Sequence, residues 1–347
     1  MTYTIIKKTD LPRSQVEIEA SASAEDLAKY RDEAIKHLGQ HAQIDGFRKG
    51  HIPANILIQK FGEFSILEEA GSMAIEDIVP EIIITEKIDA LGRPEVSITK
   101  IALGNPMEFK LKISIMPSLE LPDYKKIAAK ENAIKEEVLV VTEKEVDEAL
   151  ENIRKAMAPK IPPTNDGVAT EPIPALPEIN DEFAKSLGNF KDLTELKAKI
   201  NENMLAEKSQ KAKEKKRLQI AEKIIAGAKT EIPEILIQGE LSKMDAQFEE
   251  DIAKMGLKTE DYLTHLKKTR EDLRKEWEPD AEKRAKLQLI LNRIATEEKI
   301  EADQKAVDEQ AGHLIAHYTG ADPERAKIYV ATMMTNEKVF EFLDGIK

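Results

Sequence analysis

The 347-residue chain contains no cysteine and a single tryptophan. Without cysteine it can form no disulfide, carry no thiol nucleophile and offer no thiolate to a metal. Aromatic residues make up 5% of the chain and charged residues 34%. That balance favours extended helical surfaces over one large globular core. Long apolar runs are also missing. The longest are a few residues, such as Ile82-Ile83-Ile84 and Val138-Leu139-Val140-Val141, so no segment is expected to span a bilayer. Met1 to Lys8 has no apolar stretch of signal-peptide length, and a soluble, cytoplasmic protein without membrane contact is the expectation. Nucleotide chemistry has no visible basis, because no glycine is followed by lysine and no Gly-x-Gly-x-x-Gly or Gly-x-Ser-x-Gly occurs. His37/His41 and His313/His317 have i, i+4 spacing but lack the intervening glutamate of a zinc protease. No catalytic residue, cofactor or metal site is therefore expected. The net charge of −13 and pI near 5.2 argue against a surface built wholly for nucleic acid.

Residues 1–118 read as an α+β domain. Val16, Ile18 and Ala20 alternate with polar residues, as do Met107, Phe109, Leu111, Ile113 and Ile115, which is the pattern of half-buried strands. Val96 and Ile98 supply a third. Leu27, Tyr30, Ala34, Leu38 and Ala42 fall at helical spacing, as do Ile66, Ala70, Met73, Ala74, Asp77 and Ile78. The grouping predicts an antiparallel sheet with helices on one face. Residues 119–158 form a connecting segment, with Thr142 and Glu145 as a capping box ahead of Val146, Ala149, Leu150 and Ile153. Residues 159–178 hold six of the chain's 16 prolines. They can be neither a helix nor a core. Residues 179–347 read as an elongated all-α domain of helical hairpins. One helix opens at Asp192 and Glu195 and meets no breaker until Gly227, about 50 Å at 1.5 Å per residue. Its middle, Glu207 to Arg217, is polar all round. Pro233, Asp303 and Pro323 mark further helix starts. Trp277 reads as a helix-packing residue, and most apolar stripe residues read as hairpin core.

The most informative segment is Gly46-Phe47-Arg48-Lys49-Gly50-His51-Ile52-Pro53. Glycine permits positive φ and proline fixes φ, so these residues punctuate a loop. A helical pattern ends upstream near Ile44, and another starts at Ala54. No Asp or Glu occurs from Gly46 through Gly62. Two readings fit the residues. Either the loop displays Phe47, Arg48 and Lys49 to a phosphate-rich partner, or it is an ordinary polar loop whose Phe folds back onto the core.

This loop resembles the ribosome-binding signature of the trigger factor family of chaperones, Gly-Phe-Arg-x-Gly-x-x-Pro, usually with Lys where this chain has His51. The resemblance covers residues 1–158 and 178–347. It implies that Gly46, Phe47, Arg48, Lys49 and Gly50 dock on the large ribosomal subunit, beside its exit tunnel, with a weaker charge at His51. It implies an ATP-independent chaperone of nascent or unfolded polypeptides, able to form a homodimer off the ribosome. Residues 1–118 would be the ribosome-binding domain, 119–158 a segment packing on the helical body, and 179–347 a cradle with two arms. Met244, Phe248, Met255, Tyr329 and Met333 are the candidate client-binding residues, methionine suiting an adaptable surface. The family's inserted prolyl isomerase domain, of the FK506-binding type, would be replaced by the Pro-rich linker 159–178. The alternatives are a prolyl isomerase, as the family name alone suggests, and a helical scaffold or periplasmic chaperone with similar arms.

Overall fold

A computed structural model describes residues 3–45, 47–48, 50–134, 139–157, 176–318 and 320–347. The expected linker 159–178 lies almost wholly outside the described residues. In chain order the elements are β1 (Tyr3–Leu11), β2 (Gln15–Ala22), α1 (Ala24–His41), α2 (Ala54–Phe61), α3 (Glu63–Thr85), β3 (Glu95–Lys100) and β4 (Met107–Ser114). Then come α4 (Tyr124–Asn132), α5 (Glu143–Ala156), α6 (Asp181–Ser186), α7 (Leu193–Gly227), α8 (Glu234–Lys254) and α9 (Thr259–Leu266). The last are α10 (Arg270–Glu298), α11 (Gln304–His317) and α12 (Pro323–Asp344). An antiparallel α+β part is thus followed by a helical part. Among the described residues no helix is long and apolar enough to cross a membrane. The elements form two compact units, residues 1–122 with 227–299, and residues 123–226 with 300–347.

In the first unit the sheet order is β1-β2-β4-β3, antiparallel throughout. Val16, Ile18 and Ala20 stand opposite Ile113, Leu111 and Phe109, and all six are buried. Period-two alternation puts them on one face, where they meet Leu27 and Ala34 of α1 and Ile66, Ala70 and Ile78 of α3. β3 is an edge strand, with Ile98 packed on the core and Val96 exposed. Ser23 caps α1 by accepting the Asp26 N–H. α1 stops at His41 rather than near Ile44, because Ala42 turns extended. Ala42 and Ile44 then reach the same core by another route. Tyr30 donates to Asp77 at 2.5 Å. Burial and that carboxylate push the phenol up to about 12.

The same unit contains the α8–α10 hairpin. Ion pairs Arg270–Glu249 and Arg274–Asp245 step in opposite directions along the two helices, as an antiparallel pair requires. Ile237 and Leu241 pack on Ala281 and Ala285. Phe248 sits edge-on to both Trp277 and Tyr262, at 5.5 and 5.8 Å between ring centroids.

In the second unit, Thr142 and Glu145 form the capping box of α5. Lys208 on α7 and the Thr142 groups hold the Glu145 carboxyl down to about 2. Val146, Leu150, Phe183 and Leu196 make a small core between α5, α6 and α7. No residue from Glu207 to Lys215 is buried, as an all-polar stretch demands. Arg217, by contrast, pairs with Asp344 and Glu337. Asn132 donates its amide to the carbonyls of Leu343, Asp344 and Ile346, at 2.8, 3.2 and 2.8 Å. It thereby covers the open carbonyls that every helix leaves at its C-terminus. α11 and α12 meet through Val307, Ala311 and Val330.

Candidate functional site

The tip loop is anchored at its base and open at its end. On the way out Ala42 and Ile44 pack on the core, and on the way back Ile52 and Leu57 do. Gly50 N–H donates to the Gly39 carbonyl at 3.0 Å, tying the returning strand to α1. Gly39 itself permits close packing, since a Cβ there would lie 3.1 Å from Leu57 Cδ1. Two tight turns lie between, with Phe47 N–H on the Ile44 carbonyl and His51 N–H on the Arg48 carbonyl. Gly50 has φ of 79°, a conformation costing other residues about 1–2 kcal/mol. Pro53, at φ −58° and ψ 141°, caps α2. This geometry leaves Phe47 41% exposed and Arg48 exposed. Gly46 and Lys49 lie outside the described residues.

From Gly46 onward the tip carries cations and no acid, although exposed Asp45 precedes it and Asp32 lines the groove behind it. Among the described residues neither Arg48 nor Lys60 makes an ion pair. The first turn of α2 carries no acid, so the positive end of that helix adds to the field. A groove of about 430 Å³ runs behind the loop, lined among others by Ile35, Lys36, Gly39, Gly50, Ile52 and Leu57. His37 is engaged by Glu69 at 2.8 Å and lies edge-on to His41.

The five apolar client candidates fall into two classes. Met244 and Phe248 are half-buried among the side chains between α8 and α10. Met255 is 59% exposed at the end of α8, and Tyr329 and Met333 are 59% and 47% exposed on α12. Exposed Leu257, Leu266 and Ile328 accompany them and escaped the sequence reading. The available signal was that Leu257 lies in the connection after α8 and that Leu266 and Ile328 fall outside the apolar stripes of their helices.

Two family models match the chain. One, described as bacterial trigger factor protein, covers residues 4–153. The other, the C-terminus of the same protein, covers residues 192–343. Trigger factor of Carboxydothermus hydrogenoformans is 24% identical, over 97% of this chain and 98% of its own length. That of Halothermothrix orenii is 25% identical over 94% and 93%, and that of Streptomyces coelicolor 24% over 90% and 81%. The first two alignments run over 424 and 404 positions, so these relatives carry residues that a 347-residue chain lacks. A solved structure from work on promiscuous substrate recognition by the trigger factor chaperone shares the fold, with a TM-score of 0.56, 20% identity and full coverage of both chains. Two consecutive models of one protein, together with full-length relatives of the same name, mean that this chain belongs to the trigger factor family of chaperones.

Proposed function

We propose that this chaperone works in the cytoplasm, docks on the large ribosomal subunit through Gly46, Phe47, Arg48, Lys49 and Gly50, and holds nascent or unfolded chains without nucleotide. The observation that carries the reading is the anchored tip loop. It presents an aromatic ring and a guanidinium that makes no ion pair among the described residues, from a segment with no acid, in a chain of net charge −13. Such a loop suits a phosphate-rich partner met at one point. Docking there raises the effective concentration of the apolar surfaces for an emerging chain. Exposed Met255, Tyr329 and Met333 are the contacts we assign to clients. Met244 and Phe248 contribute mainly to the hairpin that carries Met255. Residues 1–118 act as the docking domain, 119–158 as the connecting segment, 159–178 as the linker and 179–347 as the client-binding part. A homodimer off the ribosome belongs to the same reading.

The full-length chain should suppress aggregation of a diluted, denatured client in buffer free of nucleotide. Failure with several unrelated clients, while the protein is folded, would leave the scaffold reading in its place.

The chain is also proposed to lack catalysis. Residues 154–191 are matched by neither family model. So short a stretch, with its central residues rich in proline, is too small and too proline-rich to build a sheet that walls off a prolyl peptide from water. A proline peptide assay should therefore return the uncatalysed rate, tens to hundreds of seconds. Robust acceleration would mean that another pocket in the chain does the chemistry.

A further inference from the structure

Nine phenylalanines occur in the chain. Only Phe47, Phe61 and Phe64 are strongly exposed, and all three fall within 18 residues. That stretch overlaps the acid-free segment 46–62 from Phe47 to Gly62. Phe61 ends α2 and is 38% exposed, while Phe64 lies in the first turn of α3 and is 61% exposed. Between them Gly62 breaks the two helices at φ 83°, and a Cβ there would meet nothing within 4 Å. The corner is therefore open as well as apolar. Lys60, exposed and without an ion pair among the described residues, stands next to it. The acid nearest the break, Glu63, is held by Arg31 through two hydrogen bonds at 2.6 and 3.0 Å, while Glu68, one turn along α3 from Phe64, is exposed and makes no ion pair among the described residues. The Glu63 charge is thus matched from within the protein. Exposed rings beside a cation that makes no ion pair among the described residues, with the nearest carboxylate neutralised by Arg31, are the chemistry of contact with single-stranded nucleic acid, where rings stack on bases and cations meet phosphates.

We propose that the α2–α3 corner, with Lys60, Phe61 and Phe64, is a second contact that reads ribosomal RNA, Lys60 meeting the phosphate backbone and the rings an unstacked base. It rests on the docking reading of the tip loop. α2 spans only about 12 Å from Pro53 to Phe61, so one surface of a large partner can meet both places.

The test is ribosome binding against salt for the full-length wild type, Lys60→Gln, the pair Phe61→Leu/Phe64→Leu, the pair Phe61→Tyr/Phe64→Tyr, and the tip variant Phe47→Ala/Arg48→Ala/Lys49→Ala. Lys60→Gln should weaken binding and reduce the salt slope by about one. The leucine pair keeps apolar bulk but loses the π-face, and should weaken binding about tenfold or more with the slope unchanged. The tyrosine pair should restore it. If the tip variant loses binding while Lys60→Gln and the leucine pair bind as wild type, the corner makes no contact and the inference falls while tip docking stands. If the leucine pair instead dissociates a homodimer and leaves ribosome binding intact, the corner belongs to a second copy and the inference also falls. A wild type that does not bind ribosomes overturns the docking reading and this inference together. Lys60 is exposed, so its variant stays folded and decides the matter even if the double substitutions disturb folding.

Discussion

Alanine at Phe47, Arg48 and Lys49 together is expected to abolish co-sedimentation with ribosomes and to leave thermal unfolding nearly unchanged. The two halves of that expectation have separate causes. Phe47 and Arg48 are exposed beyond a base that Ile44, Ile52 and Leu57 hold, so their removal takes almost nothing from the core. Surface changes of this kind fall within about 0.5 kcal/mol. Binding loses two cations and one ring at once. Two phosphate contacts make log K fall with log salt at a slope of about −1.8. A fourfold rise in salt should then weaken the wild type about tenfold through these residues alone. Replacing His51 by Lys should act in the opposite direction, strengthening binding and steepening the slope. Wild-type pelleting of the triple variant would remove the tip loop from the docking surface. A wild type insensitive to salt would remove phosphate as its partner.

Local signals made much of this fold legible. The Thr142–Glu145 box, the Asp303 cap and Pro323 at the first turn of α12 all stand where the sequence put helix starts. Caps satisfy backbone N–H groups within a few residues, so the information is contiguous in the chain. The alternation in β2 and β4 was equally readable, because a strand buried on one face records its pairing face in every second residue. Short α4, α6 and α9 were missed. Helices of six to nine residues are too brief to show a period and depend on packing for their existence.

The site was legible in its loop and less so in its surfaces. Gly50, with its positive φ, and Pro53, as a cap, are local devices, and both were visible in the sequence. Exposure is not local. Met244 and Met255 lie on one apolar stripe of α8, yet the first meets Trp277 and its neighbours while the second runs past the end of the hairpin. Nothing local marks Phe61 and Phe64 as exposed; Gly62, turning the chain between them, leaves both rings open. The polar clamps of the second unit were invisible for a different reason. Asn132 and Leu343 are 211 residues apart, and no period connects them.

That clamp supports the largest stability effect expected in this protein. Asn132 offers one amide group to three carbonyls at the end of α12, where its own Oδ1 is buried without a partner. Alanine at 132 would strip that donor from the Asp344 and Ile346 carbonyls, while Leu343 keeps the Ile346 N–H at 3.4 Å, at about 1–3 kcal/mol. Asn132→Asp is isosteric and should cost more than alanine, since a part-buried carboxylate would then face three oxygens. Repulsion and burial would raise the folded pKa of that carboxyl above its unfolded value of about 3.9. The variant should therefore be closest to wild type below about pH 4 and lose stability as pH rises through the raised value. Hydrogen exchange in the last turns of α12, followed from pH 4 to pH 8, gives the readout. Protection there should collapse at the upper end, and client holding should fall with it, because α12 carries Tyr329 and Met333. Ribosome binding should persist, since the tip loop belongs to the other compact unit. Equal protection in Asn132→Asp and wild type at pH 8 would mean that these carbonyls find other donors and that the amide of Asn132 does not hold the helix end.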